Sequence, residues 1–289
     1  MEKGRWILRT LRQASVDHVP LSESESAELL RSRDALRELA PQEVLEELTA
    51  LLCGAGVEQI LRRYAEVIAV LIPELVPMFG FEQHNPHHDR DVWEHTIAVV
   101  AAAPATPVMR WAALLHDVAK PSCFSIQEDG LGHFYGHAHK SQHQAEEILG
   151  RFGMAEAEKA RIGELIRYHD FPIPPEPKPL MRLVRKHGEE TVRQLIELHI
   201  ADTRGQSALC AGRVAEYRQV EAALEACLEE ERKPVFTLAV NGHDLQELGL
   251  QGRELGAVLR RCTELVKGGQ LPNDRPTLLS WLRDTVQKA

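Results

Sequence analysis

The sequence predicts an all-α protein. Apolar residues recur at helical spacing from end to end, proline and glycine punctuate that pattern where helices start and stop, and no long segment alternates apolar and polar residues as a strand would.

Taken in order, "SESESAELLRSRDALREL" begins with serine caps, and "PQEVLEELTALLCG" opens on proline and closes on glycine. "GVEQILRRYAEVIAVLI" and "VWEHTIAVVAAA" continue the helical pattern. "VMRWAALLHDVAK" is expected to run to Pro121, since the residue before a proline disfavours the helical conformation. In "CFSIQEDGLGHFYG" two short runs flank a glycine-containing turn and predict a minor hairpin. Helices follow at "HKSQHQAEEILGRFG", "EAEKARIGELIRYH", "EETVRQLIELHIADT" and "AGRVAEYRQVEAALEACLEEE", then at "GHDLQEL", "GRELGAVLRRCTELVKGG" and "RPTLLSWLRDTVQ". Asn241-Gly242 reads as a helix-start turn. Two polar stretches, 81–91 ("FEQHNPHHDRD") and 229–244, interrupt the helical pattern and mark boundaries.

Composition bounds the function. With 289 residues the chain has room for about two domains. Its formal charge of -9 excludes a protein that coats nucleic acid by bulk electrostatics, while leaving room for a small nucleotide or an RNA end held locally. Cys53, Cys123, Cys210, Cys227 and Cys262 are odd in number and form no C-x-x-C pair, as expected of reduced thiols in a cytoplasmic protein rather than a disulfide framework or thiolate site. The opening residues lack the apolar core of a signal peptide, and the longest apolar stretch (67–81) is broken by Glu74 and two prolines, so no membrane partner is expected.

The chemistry starts at "LLHDVAK", residues 114–120, where adjacent polar side chains, His116 and Asp117, close an apolar run. Burying them costs free energy unless they are paired or grip a cation. A cation would need ligands from other helices. His95 in "VWEHTIAVV" and Asp202 in "LIELHIADT" lie on apolar helices, and an aspartate there is uncommon unless paired. His137 near a helix start and His169 after an amphipathic helix are further candidates, with His133 and Asp170 placed for substrate work. His84, His87, His88, His139 and His143 read as surface or loop residues.

The order H…HD…D, with "LLHDVAKP", resembles the HD superfamily of metal-dependent phosphohydrolases. "QHNPHHDRDVWEHT", "GLGHFYGHAHKS" and "LAVNGHDLQELGLQGRELGAVLRRCTELVKGGQLPNDR" extend the resemblance to the C-terminal two-thirds of bacterial CCA-adding tRNA nucleotidyltransferases and poly(A) polymerases. It implies a neck-like region at 1–80, a metal-binding HD domain at 81–206 and a body/tail-like region at 207–289. Those enzymes begin with a head whose Gly-Ser and D-x-D motifs hold the transfer metals. "DRD" at 89–91 matches by spelling only, and the neck's E-D-x-x-R motif has Lys3 for its aspartate and Trp6 for its arginine, so nucleotidyl transfer is not expected of these residues.

On this reading His95, His116, Asp117 and Asp202 ligate a divalent ion, and His137 and His169 complete a second site bridged by Asp117, as in the binuclear HD proteins. Imidazole and carboxylate without thiolate suit Mn, Ni, Fe, Co or Zn, with Mg also admissible. Asp117 and Lys120 are the expected catalytic residues, Lys120 as a point cation beside a phosphate. His133, Lys140 and Arg204, with Arg110 nearby, are candidates for holding substrate. The resulting expectation is an HD-type phosphohydrolase acting on a nucleotide or RNA-end phosphoester, with 2′,3′-cyclic phosphates first in line. The alternatives are a non-catalytic tRNA-binding remnant or partner subunit of a nucleotidyltransferase, and a di-iron oxygenase on the same fold.

Overall fold

The computed structural model describes residues 1–128, 130–233 and 236–287. The chain divides into two compact units, Met1–Leu228 and Glu229–Ala289. The first contains α1 (Glu2–Asp17), α2 (Glu23–Arg31), α3 (Pro41–Leu52), α4 (Val57–Arg63), α5 (Ala65–Leu71), α6 (Val92–Ala102), α7 (Pro107–Leu115) and α8 (Lys120–Cys123). A hairpin with two residues in each strand, β1 (Ser125–Ile126) with β2 (Gly132–His133), follows as anticipated, and then α9 (His137–Arg151), α10 (Glu156–Tyr168), α11 (Pro177–His187), α12 (Glu189–Gly205) and most of α13 (Arg213–Arg232). The second unit holds α14 (Gly242–Glu247), α15 (Gly252–Lys267) and α16 (Arg275–Gln287) around Leu245, Cys262, Leu278 and Leu282. Among the described residues, no helix is long and apolar enough to cross a membrane. All five cysteines are free thiols.

Local chemistry sets the helix ends. Ser22 and Glu25 form a reciprocal capping box, Asp91 accepts from the Glu94 N–H at 2.7 Å, and prolines occupy the first turns of α3, α7 and α11. Asn241 caps α14, accepting from the His243 N–H at 2.8 Å. The structure corrects three helix readings. The segment after Ser22 stops at Arg31 and continues as a 3-10 turn from Arg33 to Glu38. The helix expected across 56–72 breaks at Tyr64, whose buried hydroxyl lies 2.7 Å from Ser26 Oγ. The helix expected to run to Pro121 ends at Leu115, and Pro121 instead sits in the first turn of α8. α11, whose Leu180, Met181, Leu183 and Val184 pack on the core, adds a helix beyond those the sequence pattern predicts.

The core of the first unit is continuous. Trp111 on α7 is fully buried and donates its indole N–H to Thr49 Oγ1 at 2.9 Å, tying α7 to α3. α6 packs along α12, and α9 along α10. This frame brings the ligand candidates together.

Candidate metal centre

The break after Leu115 makes the site. His116 closes α7 in a helical conformation, and a tight turn follows, with Lys120 N–H bonded to the Asp117 carbonyl at 2.9 Å. His95 comes from the middle of α6, Asp202 from the last turn of α12, His137 from the first residue of α9, and His169 from the C-terminal cap of α10.

These side chains form two clusters that share Asp117. On the inner side, Asp117 Oδ2 lies 3.0 Å from His116 Nε2 and 3.5 Å from His95 Nε2, while Asp202 Oδ1 lies 3.0 Å from His95 Nε2 and 3.6 Å from His116 Nε2. On the outer side, Asp117 Oδ1 lies 3.4 Å from His137 Nε2 and 3.6 Å from His169 Nε2. Two further pairs, His95 with His116 and His137 with His169, each bring their Nε2 atoms to 3.3 Å.

The donor set fits divalent metal, and the hydrogen bonds say why. His116, His137 and His169 each place Nδ1 within 2.7–2.8 Å of the backbone carbonyl three residues earlier, at Ala113, Phe134 and Ile166. A carbonyl only accepts, so Nδ1 carries a proton in each ring, and Nε2 is the nitrogen that can give its lone pair to a metal ion once it bears no proton of its own. Nε2 atoms facing one another beside a carboxylate need a positive charge among them, either a proton or a metal ion. The spacings match, since atoms about 2.0–2.2 Å from one ion lie roughly 3.0–3.6 Å apart. Neither Asp117 oxygen has a well-formed hydrogen bond, although the Lys120 ammonium is 2.7 Å from Oδ2, and His95 Nδ1 is also unpartnered.

The electrostatics agree. Burial opposes charge on His116, but the Asp117 and Asp202 carboxylates outweigh it and push its pKa up to about 10. Burial also opposes charge on Asp117 and Asp202. His116 and Lys120 hold Asp117, and hydrogen bonds from His116 and His95 hold Asp202, well below the usual carboxylate range. Burial and the charge of His116 lower His169 to about 4, leaving its imidazole in the ligating form.

The other candidates separate by position. Lys120 is buried, 2.9 Å from Gln83 Oε1, and lines a cavity of about 340 Å³ that opens beside Asp117, His137, His169 and Asp202. His133 lines the same cavity, as does exposed Asp170. Lys140 and Arg204 are exposed and lie outside its lining. Arg110 is buried and donates to the Val100 carbonyl, also away from the cavity.

The sequence reading missed several groups. His88, read as a loop residue, lines the cavity and meets the His95 ring edge-to-face at 5.1 Å, and burial together with the charges of Lys120 and His95 lowers its pKa to about 3. Gln83 and Gln206 brace Lys120 and Asp202, Gln206 donating to Asp202 Oδ2 at 2.7 Å. No periodic pattern marks these glutamines. For His88 the only local signal was the His-rich loop itself.

The chain resembles known proteins in two respects. Residues 92–228 match the HD domain model. The chain is 30% identical over 232 residues to an A-adding tRNA nucleotidyltransferase of Deinococcus radiodurans, covering 76% of this chain and 53% of that protein. It is likewise 30% identical over 257 residues to a CC-adding tRNA nucleotidyltransferase of Thermus thermophilus, covering 84% and 57%. The chain thus spans about half the length of these relatives. It carries an HD domain, set in a sequence that resembles the C-terminal region of tRNA nucleotidyltransferases over most of its length.

Proposed function

We propose that the chain is a metal-dependent phosphohydrolase acting on a phosphoester of a nucleotide or RNA end, with 2′,3′-cyclic phosphates and 2′-nucleotides as the first substrates to test. One observation carries the reading. The two oxygens of Asp117 are divided between two histidine pairs, with the Lys120 ammonium beside them. His95, His116, Asp117, Asp202, His137 and His169 would hold divalent metal, which when bound would supply water of lowered pKa and offset phosphoryl charge.

The protein's own groups supply the rest. Backbone carbonyls fix the orientation of His116, His137 and His169, so the ligand nitrogens are preorganised. The Lys120 ammonium, 2.7 Å from Asp117 Oδ2 and bonded to Gln83 Oε1, lines the cavity as a point cation for a phosphoryl oxygen as negative charge develops there. Gln83 is itself anchored by donating to the Arg90 carbonyl at 3.1 Å, which keeps the ammonium in the cavity wall.

The names of the matched relatives favour RNA as a partner, and a non-catalytic tRNA-binding unit is the second reading. The buried, divided carboxylate supports the first, because such charges are costly to keep without a cation. Metal analysis of the purified chain, followed by a phosphoester screen with Mn²⁺, Ni²⁺ and Mg²⁺, tests both readings. Hydrolysis that disappears in Asp117→Ala is the expected outcome. Tight tRNA binding with no hydrolysis of any ester would favour the second.

A further inference from the structure

The cavity beside Asp117 has one wall unlike the others. It is made by residues 132–137, "GHFYGH", which run from the hairpin into α9. His133 and Tyr135 stack face to face, with ring centroids 5.3 Å apart and planes within 5° of parallel. Both line the cavity, and Tyr135 is 68% exposed. Gln127, on the other arm of the hairpin, donates to the Tyr135 hydroxyl at 3.1 Å and steadies the ring.

An exposed, braced aromatic face is unusual on a wall otherwise built from polar groups. Its place in the chain explains its direction. Gly136 is left-handed (φ 75°), a conformation that L side chains rarely adopt, and it turns the chain so that His137 begins α9 immediately after Tyr135. The aromatic platform and an outer-side ligand candidate are therefore separated by a single glycine.

We infer that Tyr135, backed by His133, is the stacking platform for the nucleobase of the substrate. The inference rests on the phosphohydrolase reading for where the phosphate sits, but the platform is defined by its own geometry. It makes Tyr135 a specificity determinant that separates nucleotides from base-free phosphoesters. Every base has a π-face, so the platform selects for the presence of a base more than for its identity.

The test is equilibrium binding to the full chain loaded with Mg²⁺, using 2′-AMP and its base-free counterpart, methyl ribofuranoside 2-phosphate. Tyr135→Ala should weaken 2′-AMP binding by about tenfold, a typical loss for one stacked base. It should leave the base-free phosphate unchanged, and Tyr135→Phe should bind as the parent does. Since Tyr135 is exposed, its replacement leaves the core intact. Equal binding of both compounds by the parent chain, or of 2′-AMP by the parent and Tyr135→Ala, would overturn the inference. Hydrolysis is read separately. If 2′-AMP binding depends on Tyr135 but no phosphoester is cleaved, the phosphohydrolase reading falls while the platform stands. Repeating the comparison with 2′,3′-cyclic AMP and with a short RNA ending in a cyclic phosphate identifies the source of the base, the tighter Tyr135-dependent ligand being the one the cavity takes.

Discussion

His95, His116 and Asp202 lie on one side of Asp117 and His137 and His169 on the other, and the two sides are enclosed differently. The inner imidazoles have no exposed surface, whereas His137 and His169 retain 12% and 4% and line the cavity; the inner side reaches that cavity through Asp202, 16% exposed. The inner side also has a second carboxylate, and the outer side has only the shared one. Charge and enclosure together suit the inner set to permanent retention of an ion and the outer set to an ion that exchanges or meets substrate. The lesson is that a single aspartate at a helix break can serve two clusters whose imidazoles differ in burial.

Removing the shared group should have the largest effect. Asp117→Ala is expected to empty both sides and lower phosphoester hydrolysis at least as much as loss of one preorganised electrostatic group, roughly 10²–10³-fold. Metal content by mass spectrometry and turnover on the best substrate check this. Full activity in Asp117→Ala would make the residue structural.

Splitting the halves comes next. His169→Ala or His137→Ala should leave the inner ion in place and lower metal content toward one ion per chain, while His95→Ala should lose the tightly held ion. If His137→Ala and His169→Ala match Asp117→Ala in lost activity, both sides are needed for turnover; a mild loss assigns those histidines to substrate binding.

Acidity should discriminate between the sides as well. The carboxylates raise the pKa of His116 to about 10, so it holds a proton throughout the neutral range, and an ion taking its Nε2 displaces that proton. Inner-side affinity should therefore climb with pH, by up to about tenfold per unit, and titration calorimetry in buffers of different ionisation enthalpy should register proton release. Affinity that is flat between pH 6 and 8 would remove His116 from the ligand set.

A smaller, inner-only effect is expected at Gly205, one turn beyond Asp202. A Cβ there would stand 2.7 Å from Val99 Cγ2 and 3.0 Å from His95 Nδ1. Gly205→Ala should destabilise the chain by about 1–3 kcal/mol in denaturant unfolding and loosen the inner ion, leaving the outer side as it was. Arg204→Ala and Lys140→Ala, at exposed positions, should shift stability by no more than about 0.5 kcal/mol and leave turnover near the parent value.

The sequence made the all-α class and the ligand candidates legible because both have local signatures. His95, His116 and Asp202 stand out as polar side chains inside apolar helical runs, where their burial could be anticipated. The break after Leu115 was hidden for the same reason, since Val118 and Ala119 keep the apolar pattern going through the turn. His88 was illegible because its place is set by distant contacts. The loop that carries it is pinned from the end of α12 and just beyond, where Ser207 bonds the His87 and Pro86 carbonyls at 2.9 Å and Arg90 reaches the Gly205 carbonyl at 3.0 Å. Lys140 and Arg204 show the converse. Proximity in sequence to a ligand does not fix the direction of a long side chain, and each points away from the cavity.

The repeated bond from a histidine Nδ1 to the carbonyl three residues back bears on conformational entropy. Because it is made within one turn of backbone, it locks χ1 and χ2 of His116, His137 and His169 as soon as their helix ends form. Freezing a side chain that would otherwise sample several rotamers opposes association. Three ligand rings have already lost that freedom when the chain folds, so the loss is borne by folding rather than by ion capture. An arriving ion would meet nitrogens that are already converged, and its affinity would be set by charge, dehydration and the displaced His116 proton more than by ordering of the protein.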